Sequence, residues 1–156
     1  MDVPSPDSIA YLTAGILVVA TILSGPGVGL LDLTRDAGWG EVSTESVPER
    51  ALIESIPDSE TRMAFDIEPA TLRASNVTGS PVVAYKVHIP ALQFYTTGIT
   101  FLDADSEQPT VGAPETTLPR NEIANESYTG TVTLELRAGE RVETLYAGNV
   151  TVEVRE

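Results

Sequence analysis

The C-terminal stretch YTGTVTLELRAGERVETLYAGNVTVEVRE, residues 128–156, decides the prediction of the fold. In its first half apolar and polar residues alternate, which is typical of a β-strand with one buried face. A turn at 138–140 leads into a second strand, in which Gly148 suggests a bulge and valines then alternate with polar residues. Five residues of the first strand share the buried face: Tyr128, Gly130, Val132, Leu134 and Leu136.

The same period of two extends back to residue 62. It is clear in 62–68 and 82–89, and two apolar runs follow at 92–95 and 99–102, separated by Thr96-Thr97-Gly98. The stretch 103–125 is rich in Asp, Pro and Gly and predicts a loop, with a short edge strand near Thr110-Val111. About seven strands within about 95 residues predict that 62–156 form an antiparallel immunoglobulin-like β-sandwich.

Tyr128 stands at the start of a late strand, where the immunoglobulin-like fold places its tyrosine corner. A tyrosine that simply fills the core is the alternative. The Cys and Trp signature of antibody domains is missing, since the chain has no cysteine, and any kinship to that fold is architectural.

The N-terminal part of the chain has a different character. After a short tail, residues 1–8, the stretch 9–31 contains no charged residue. A helix of that length spans about 34 Å, enough to cross a bilayer core of about 30 Å. It predicts an uncleaved transmembrane helix that contacts the lipid bilayer. A signal peptide and a buried core helix are the alternatives, and Pro26 is the weak point of the span.

Residues 32–61 predict a juxtamembrane connector, with a short helix near 47–56 that follows the capping pattern Ser46-Val47-Pro48-Glu49. Trp39 fits either the lipid–water interface or a place against the domain.

Charge and glycosylation motifs disagree about which side of the membrane the domain occupies. Arg35 follows the predicted span and favours a cytoplasmic domain. Three of the four asparagines lie in N-x-S/T motifs, which favours an exported domain. We therefore expect a single-pass protein of the cell membrane with its C-terminal domain extracellular. The glycosylation candidates are Asn76, Asn125 and Asn149.

The composition narrows the range of functions. The formal net charge is −14, and Lys86 is the only lysine. Acidic side chains at this density repel one another, and high salt screens that repulsion. The composition therefore favours a protein of a halophile over an acidic mesophilic protein. Nucleic acid is not expected as a partner, because the chain has no basic patch. With no cysteine and His88 as the only histidine, no catalytic triad pattern is present, and an enzyme is not expected.

One loop suggests a binding site. Asp103, Asp105 and Glu107 alternate at the end of a strand, and carboxylates in that pattern can converge on a hard cation such as Ca²⁺. The loop lacks the glycine and the distal glutamate of an EF-hand. In so acidic a chain, a solvated loop is the alternative. No other cofactor is expected.

The uncharged run at 9–31, the acidic, lysine-poor composition and the β-rich half ending GNVTVEVRE resemble haloarchaeal single-pass membrane-anchored surface proteins with an immunoglobulin-like ectodomain. The resemblance covers architecture and composition and rests on no specific motif. It implies a non-enzymatic cell-envelope protein whose exported domain binds another surface component. One version is similar in layout to archaellum stator-type subunits. An accessory subunit of a membrane protein complex, or a cation- or ligand-binding module, is the alternative.

Overall fold

The computed structural model describes residues 38–156, and strands dominate this region. The prediction of a mainly β chain is therefore confirmed. Short 3-10 helices occupy Pro90–Leu92 and Arg120–Glu122. The strands are β1 (Trp39–Ser46), β2 (Arg50–Ser55), β3 (Arg62–Ile67), β4 (Ala70–Thr78), β5 (Val82–Ile89), β6 (Phe94–Phe101), β7 (Thr110–Val111), β8 (Thr116–Pro119), β9 (Ser127–Ala138) and β10 (Arg141–Arg155).

These strands form two sheets. One has seven strands in the order β6-β5-β9-β10-β2-β3-β8, and the other has three in the order β1-β4-β7. Neighbouring strands are antiparallel, as predicted, with one exception: β2 runs parallel to β10. A parallel pair requires a long connection, and here most of the domain lies between the two strands. The seven-stranded sheet is therefore mixed.

The two sheets contribute to one hydrophobic core. Leu72 of β4 is fully buried, as are Ile53, Leu134 and Val152 from the larger sheet, and all four belong to a single cluster of contacting side chains. The alternation predicted for β9 is confirmed, because every second residue from Tyr128 to Leu136 is buried. The period-two pattern thus identifies which face of each strand meets the core.

Tyr128 contacts both the core and the loop before β9. Its side chain belongs to the core, and its hydroxyl accepts hydrogen bonds from the backbone amides of Ala124 (2.8 Å) and Asn125 (3.0 Å). A tyrosine corner also bonds its hydroxyl to backbone a few residues upstream. The residue therefore ties the loop before β9 to the strand that fills the core.

The segment predicted as a connector, 32–61, contains two paired strands within its described part. β1 pairs with β4, and β2 lies between β3 and β10. The helix predicted near 47–56 was wrong, because Ala51 and Ile53 alternate with more exposed neighbours and enter the core. Trp39 packs against the core, and the guanidinium of Arg141 lies 3.4 Å from the centroid of its ring.

Three details of the strand pattern also differ from the prediction. The irregularity in β10 lies between Thr144 and Tyr146, whereas Gly148 pairs regularly with Val132. The apolar runs at 92–95 and 99–102 belong largely to one strand, β6. The predicted edge strand at Thr110–Val111 is present as β7, but the same loop holds a further strand, β8.

Gly98 explains why β6 was divided in the prediction. A Cβ on this residue would lie 1.8 Å from the carbonyl oxygen of Gly112, so a side chain there would collide with backbone. Gly98 therefore allows β6 to approach the backbone at Gly112 closely. It does not form a turn, although the neighbouring Thr96-Thr97 predicted one.

The predicted tail (1–8) and transmembrane helix (9–31) lie outside the described residues. Between residues 38 and 156 no helix has the length and apolar character required to cross a bilayer.

Candidate protein-interaction surface

The three predicted cation ligands lie on the loop after β6 and do not converge. Asp103, Asp105 and Glu107 are exposed, and no group of three or more acidic or histidine side chains in residues 38–156 is arranged to hold a metal ion. The carboxylate of Asp103 accepts hydrogen bonds from the Ser106 hydroxyl (2.8 Å) and the Asp105 amide (3.1 Å). It therefore organises its own loop.

Backbone hydrogen bonds hold the same loop against β4. The carbonyl of Glu107 accepts a bond from the amide of Ala74, and that of Pro109 accepts one from Leu72, each at 2.9 Å. These contacts extend the short β7 pairing, so the loop completes the edge of the smaller sheet. The loop therefore has a structural role at the edge of the smaller sheet.

All three glycosylation candidates are exposed, but their settings differ. Asn76 lies in β4 with a positive φ of 53°, and its amide donates a hydrogen bond to the Glu41 carboxylate at 3.3 Å. Asn125 lies in the loop before β9, and Asn149 lies in β10 opposite Thr131. Within residues 38–156 the side chains of Asn125 and Asn149 donate no hydrogen bond that an attached sugar would have to displace.

The outward face of the larger sheet brings together the only lysine and the only histidine of the chain. Lys86 and His88 lie two residues apart on β5, and His88 pairs across the strands with Tyr95 of β6. The two rings meet edge to face, with centroids 6.3 Å apart. Together with Thr131, Thr133 and Glu135 of β9 these side chains line a shallow, open depression.

A partly buried ion network forms the floor of this face. Glu135 accepts hydrogen bonds from Lys86 at 2.7 Å and from the Nε of Arg137 at 2.9 Å, and its side chain is only 15% exposed. Burial raises the pKa of Glu135, but the bonds from Lys86 and then Arg137 outweigh burial and hold that pKa below its usual range. Lys86 is thus neutralised by a local partner.

The most unusual surface of the described region is β6, which ends the seven-stranded sheet. Three of its outward side chains are large and apolar: Tyr95 is 58% exposed, Ile99 38% and Phe101 49%. Its sequence, FYTTGITF, contains no charged residue. We call this strand with its three exposed apolar side chains the β6 edge.

The opposite side of β6 is anchored in the domain. Thr96 is buried, and the rings of Phe94 and Phe65 lie 4.9 Å apart in the core. The pairing with β5 runs through eight consecutive residue pairs without a register shift. The exposed side chains therefore project from a regular, well-supported strand.

The exposed apolar side chains of the β6 edge were not among the predicted site residues. The signal that would have found it is the alternation Tyr95, Thr97, Ile99 and Phe101 in a run without charge, read as one strand instead of two. Comparisons of the chain with protein families, curated proteins and solved structures give no match.

Proposed function

We propose that this protein is a non-enzymatic, membrane-anchored component of a cell envelope, in which an acidic immunoglobulin-like β-sandwich binds another protein. The β6 edge carries the proposal. Clustered apolar side chains on an otherwise acidic surface are typical of protein-binding sites, because solvent-exposed apolar area is stabilised by contact with a partner. Tyrosine and phenylalanine, two of the three exposed side chains, are enriched at such interfaces.

The arrangement of the two sheets supports the proposed β-sandwich. Two sheets share one core, and the hydroxyl of Tyr128 accepts backbone bonds in the manner of a tyrosine corner. The uncharged run at 9–31 supports the anchor, and the exposed positions of Asn76, Asn125 and Asn149 are compatible with an exported, glycosylated domain. The net charge of −14 supports a halophilic origin.

The proposal assigns no role in recognition to Lys86. This ammonium is already paired with Glu135, and the depression beside it is shallow and open. Small-molecule sites are usually deeper and mostly apolar. A macromolecular partner that covers the adjacent strand fits this surface better than a small ligand.

Site-specific photo-crosslinking in cells that make the protein would test the binding function. A photoreactive amino acid replaces Tyr95 on the β6 edge in one full-length variant, and Val142 on β10 in a control. Val142 is similarly exposed, at 52%, but lies three strands away in the sheet. We expect a discrete crosslinked protein from position 95 only. Equal labelling from both positions, or none from either, would contradict a binding role for the β6 edge.

Protease treatment of intact cells at their native salt concentration would test the location. Peptides released from residues 62–156, with or without sugar on Asn76, Asn125 or Asn149, would place the domain outside. If the peptides appear only when inside-out vesicles are digested, the domain is cytoplasmic and the envelope proposal is wrong.

A further inference from the structure

The three N-x-S/T motifs differ in whether their side chains are available to carry a sugar. N-linked glycosylation attaches the sugar to the side-chain nitrogen of asparagine, and the hydroxyl of the residue two positions later belongs to the acceptor motif. A transferase must therefore reach both groups on one accessible segment of the chain. The structure gives each motif a different setting, so the three candidates can be distinguished.

The motif at Asn76 takes part in the pairing of β1 with β4. The Asn76 amide donates a hydrogen bond to the Glu41 carboxylate at 3.3 Å. The Thr78 hydroxyl donates to the carbonyl of Trp39 and accepts from the amide of the same residue, each at 3.2 Å. Val77, the middle residue of the motif, is buried. A transferase could reach both acceptor groups only if β1 separated from β4.

The motif at Asn149 lies within a strand whose backbone is paired. Asn149 is opposite Thr131 of β9, and Thr151 is opposite Thr129. On its other side β10 pairs with β2 from Thr151 onward, and the Thr151 amide donates a hydrogen bond to the carbonyl of Glu49 at 2.9 Å. The side chains of Asn149 and Thr151 are exposed, but their backbone leaves the sheet only when these bonds break.

The motif at Asn125 meets neither obstacle. Asn125 and Ser127 are exposed, and within residues 38–156 neither side chain makes a hydrogen bond. Asn125 lies in the loop before β9, and Ser127 is the first residue of that strand. Exposed loops are the segments of a folded protein that other enzymes reach most readily.

The backbone around Asn125 is held in place and has space beside it. Its amide donates a hydrogen bond to the Tyr128 hydroxyl at 3.0 Å, and the carbonyl of Glu126 accepts one from the amide of Val154 at 2.9 Å. Asn125 also lines an open groove together with Glu126 and Arg155. Charged side chains of this kind can hydrogen-bond to sugar hydroxyls. The folded domain therefore has room for the first sugars of an attached chain.

We propose that Asn125 is the glycan acceptor of this domain, and that Asn76 and Asn149 stay unmodified. The attached group is an N-linked oligosaccharide. This inference rests on the proposed export of the domain and selects one of the three candidates. A sugar on Asn125 displaces no side-chain hydrogen bond within residues 38–156, and it does not require any strand to leave its sheet.

The transfer needs an oligosaccharide donor linked to a lipid phosphate. The side-chain nitrogen of Asn125 forms a bond to the anomeric carbon of the first sugar. The bond from that carbon to the phosphate oxygen breaks, and the lipid phosphate leaves with the electron pair. The amide nitrogen gives up one of its two protons to a base of the transferase.

The first test measures the occupancy of each motif in the full chain, purified from cells that make it. Peptides that contain Asn76, Asn125 or Asn149 are quantified by mass spectrometry with and without attached sugar. The occupied fraction at Asn125 should be at least tenfold higher than at either of the other positions. A smaller ratio, or bare asparagine at all three positions, would overturn the proposal.

The second test changes the hydroxyl of the motif and leaves Asn125 in place. Ser127→Ala should abolish the added mass of the sugar, whereas Ser127→Thr keeps the motif and should retain that mass. Thr151→Ala removes the motif at Asn149 and is the matched control, because Thr151 is also an exposed strand residue. Its mass should fall only by the difference between the two side chains. Loss of sugar in Thr151→Ala, or retention of sugar in Ser127→Ala, would refute the assignment.

The choice of acceptor and the proposed location fail in different ways. If protease releases peptides of residues 62–156 from intact cells and Asn125 is bare, the domain is exported and only the assignment of the acceptor is wrong. If the domain is digested only in inside-out vesicles, the envelope location is wrong and the assignment falls with it.

Discussion

The hydroxyl of Tyr128 offers the sharpest test of how the domain is held together, through the substitution Tyr128→Phe. The change removes one oxygen atom and leaves the buried ring in place, so it creates almost no cavity. It deletes the acceptor of the two bonds from Ala124 and Asn125, at 2.8 and 3.0 Å. Any loss of stability therefore measures the link between the loop and β9.

The expected loss follows from these two bonds. An ordinary hydrogen bond contributes about 0.5–1.5 kcal/mol net, so two contribute about 1–3 kcal/mol. Ala124 and Asn125 are exposed, and water can replace part of the lost bonding. We therefore expect the free energy of unfolding to fall by about 1–2 kcal/mol, which for a domain of this size lowers Tm by roughly 3–8 °C.

Urea denaturation at fixed high salt would measure this difference, with Tyr95→Phe as the matched control. Tyr95 is 58% exposed, and no hydrogen bond of its hydroxyl is present among the described residues. The control should change the free energy of unfolding by less than about 0.5 kcal/mol. If Tyr128→Phe is no more destabilising than Tyr95→Phe, the two bonds do not hold the loop and our account of this residue is wrong.

Three further predictions concern charge and packing. Glu135→Gln should lower the free energy of unfolding by about 2 kcal/mol, a value between those of buried and surface ion pairs. In the same urea titration the control Glu143→Gln should lower it by less than about 0.5 kcal/mol. The folded pKa of Glu135 lies below its unfolded value of about 4.5, so its stabilising contribution is present above that pH and is lost as pH falls through the folded pKa. An acid titration in which Glu135→Gln and the parent lose stability in parallel would refute this. Gly98→Ala should lower the free energy of unfolding by about 1–3 kcal/mol, because the added Cβ would collide with backbone. Gly112→Ala should lower it less, since the nearest contact of its Cβ would be a side-chain carbon at 3.3 Å. Equal shifts in Tm for the two variants would contradict the close approach at Gly98. Raising KCl from about 0.1 M to about 1 M should raise Tm, because the added salt shortens the Debye length from about 10 Å to about 3 Å and screens the net charge of −14. An unchanged or lower Tm would exclude self-repulsion as the main effect of that charge.

Local pattern predicted the β-rich fold well where one face of a strand is buried. In β9 and β5 the apolar residues recur at every second position, and Val83, Val87, Leu134 and Leu136 are all in the core. Prediction failed where a single residue type has two structural uses. Gly98 occurs in a turn-like sequence but permits close packing, and Pro48 with Glu49 resembles a helix start but precedes a strand.

The candidate site was less predictable than the fold. The sequence pointed to Asp103, Asp105 and Glu107 because acidic residues alternate there, but Asp103 bonds its own loop. The β6 edge depends on which strand ends the sheet. That position is decided by the pairing of β5 with β6 on one side and with β9 on the other, and the β5–β9 pairs join residues far apart in the chain, such as Val82 and Arg137.

The sequence by itself determined several strand-forming segments, among them β5 and β9, the buried face of those two strands and the acidic, cysteine-free character of the chain, because these follow from residue type and spacing along the chain. The tertiary structure decided the order of strands in the sheets, the parallel neighbours β2 and β10, the ion network around Glu135 and the exposure of Tyr95 and Ile99. Each of these depends on contacts between residues far apart in the chain. Such contacts form only when the whole core closes, so no local pattern could specify them.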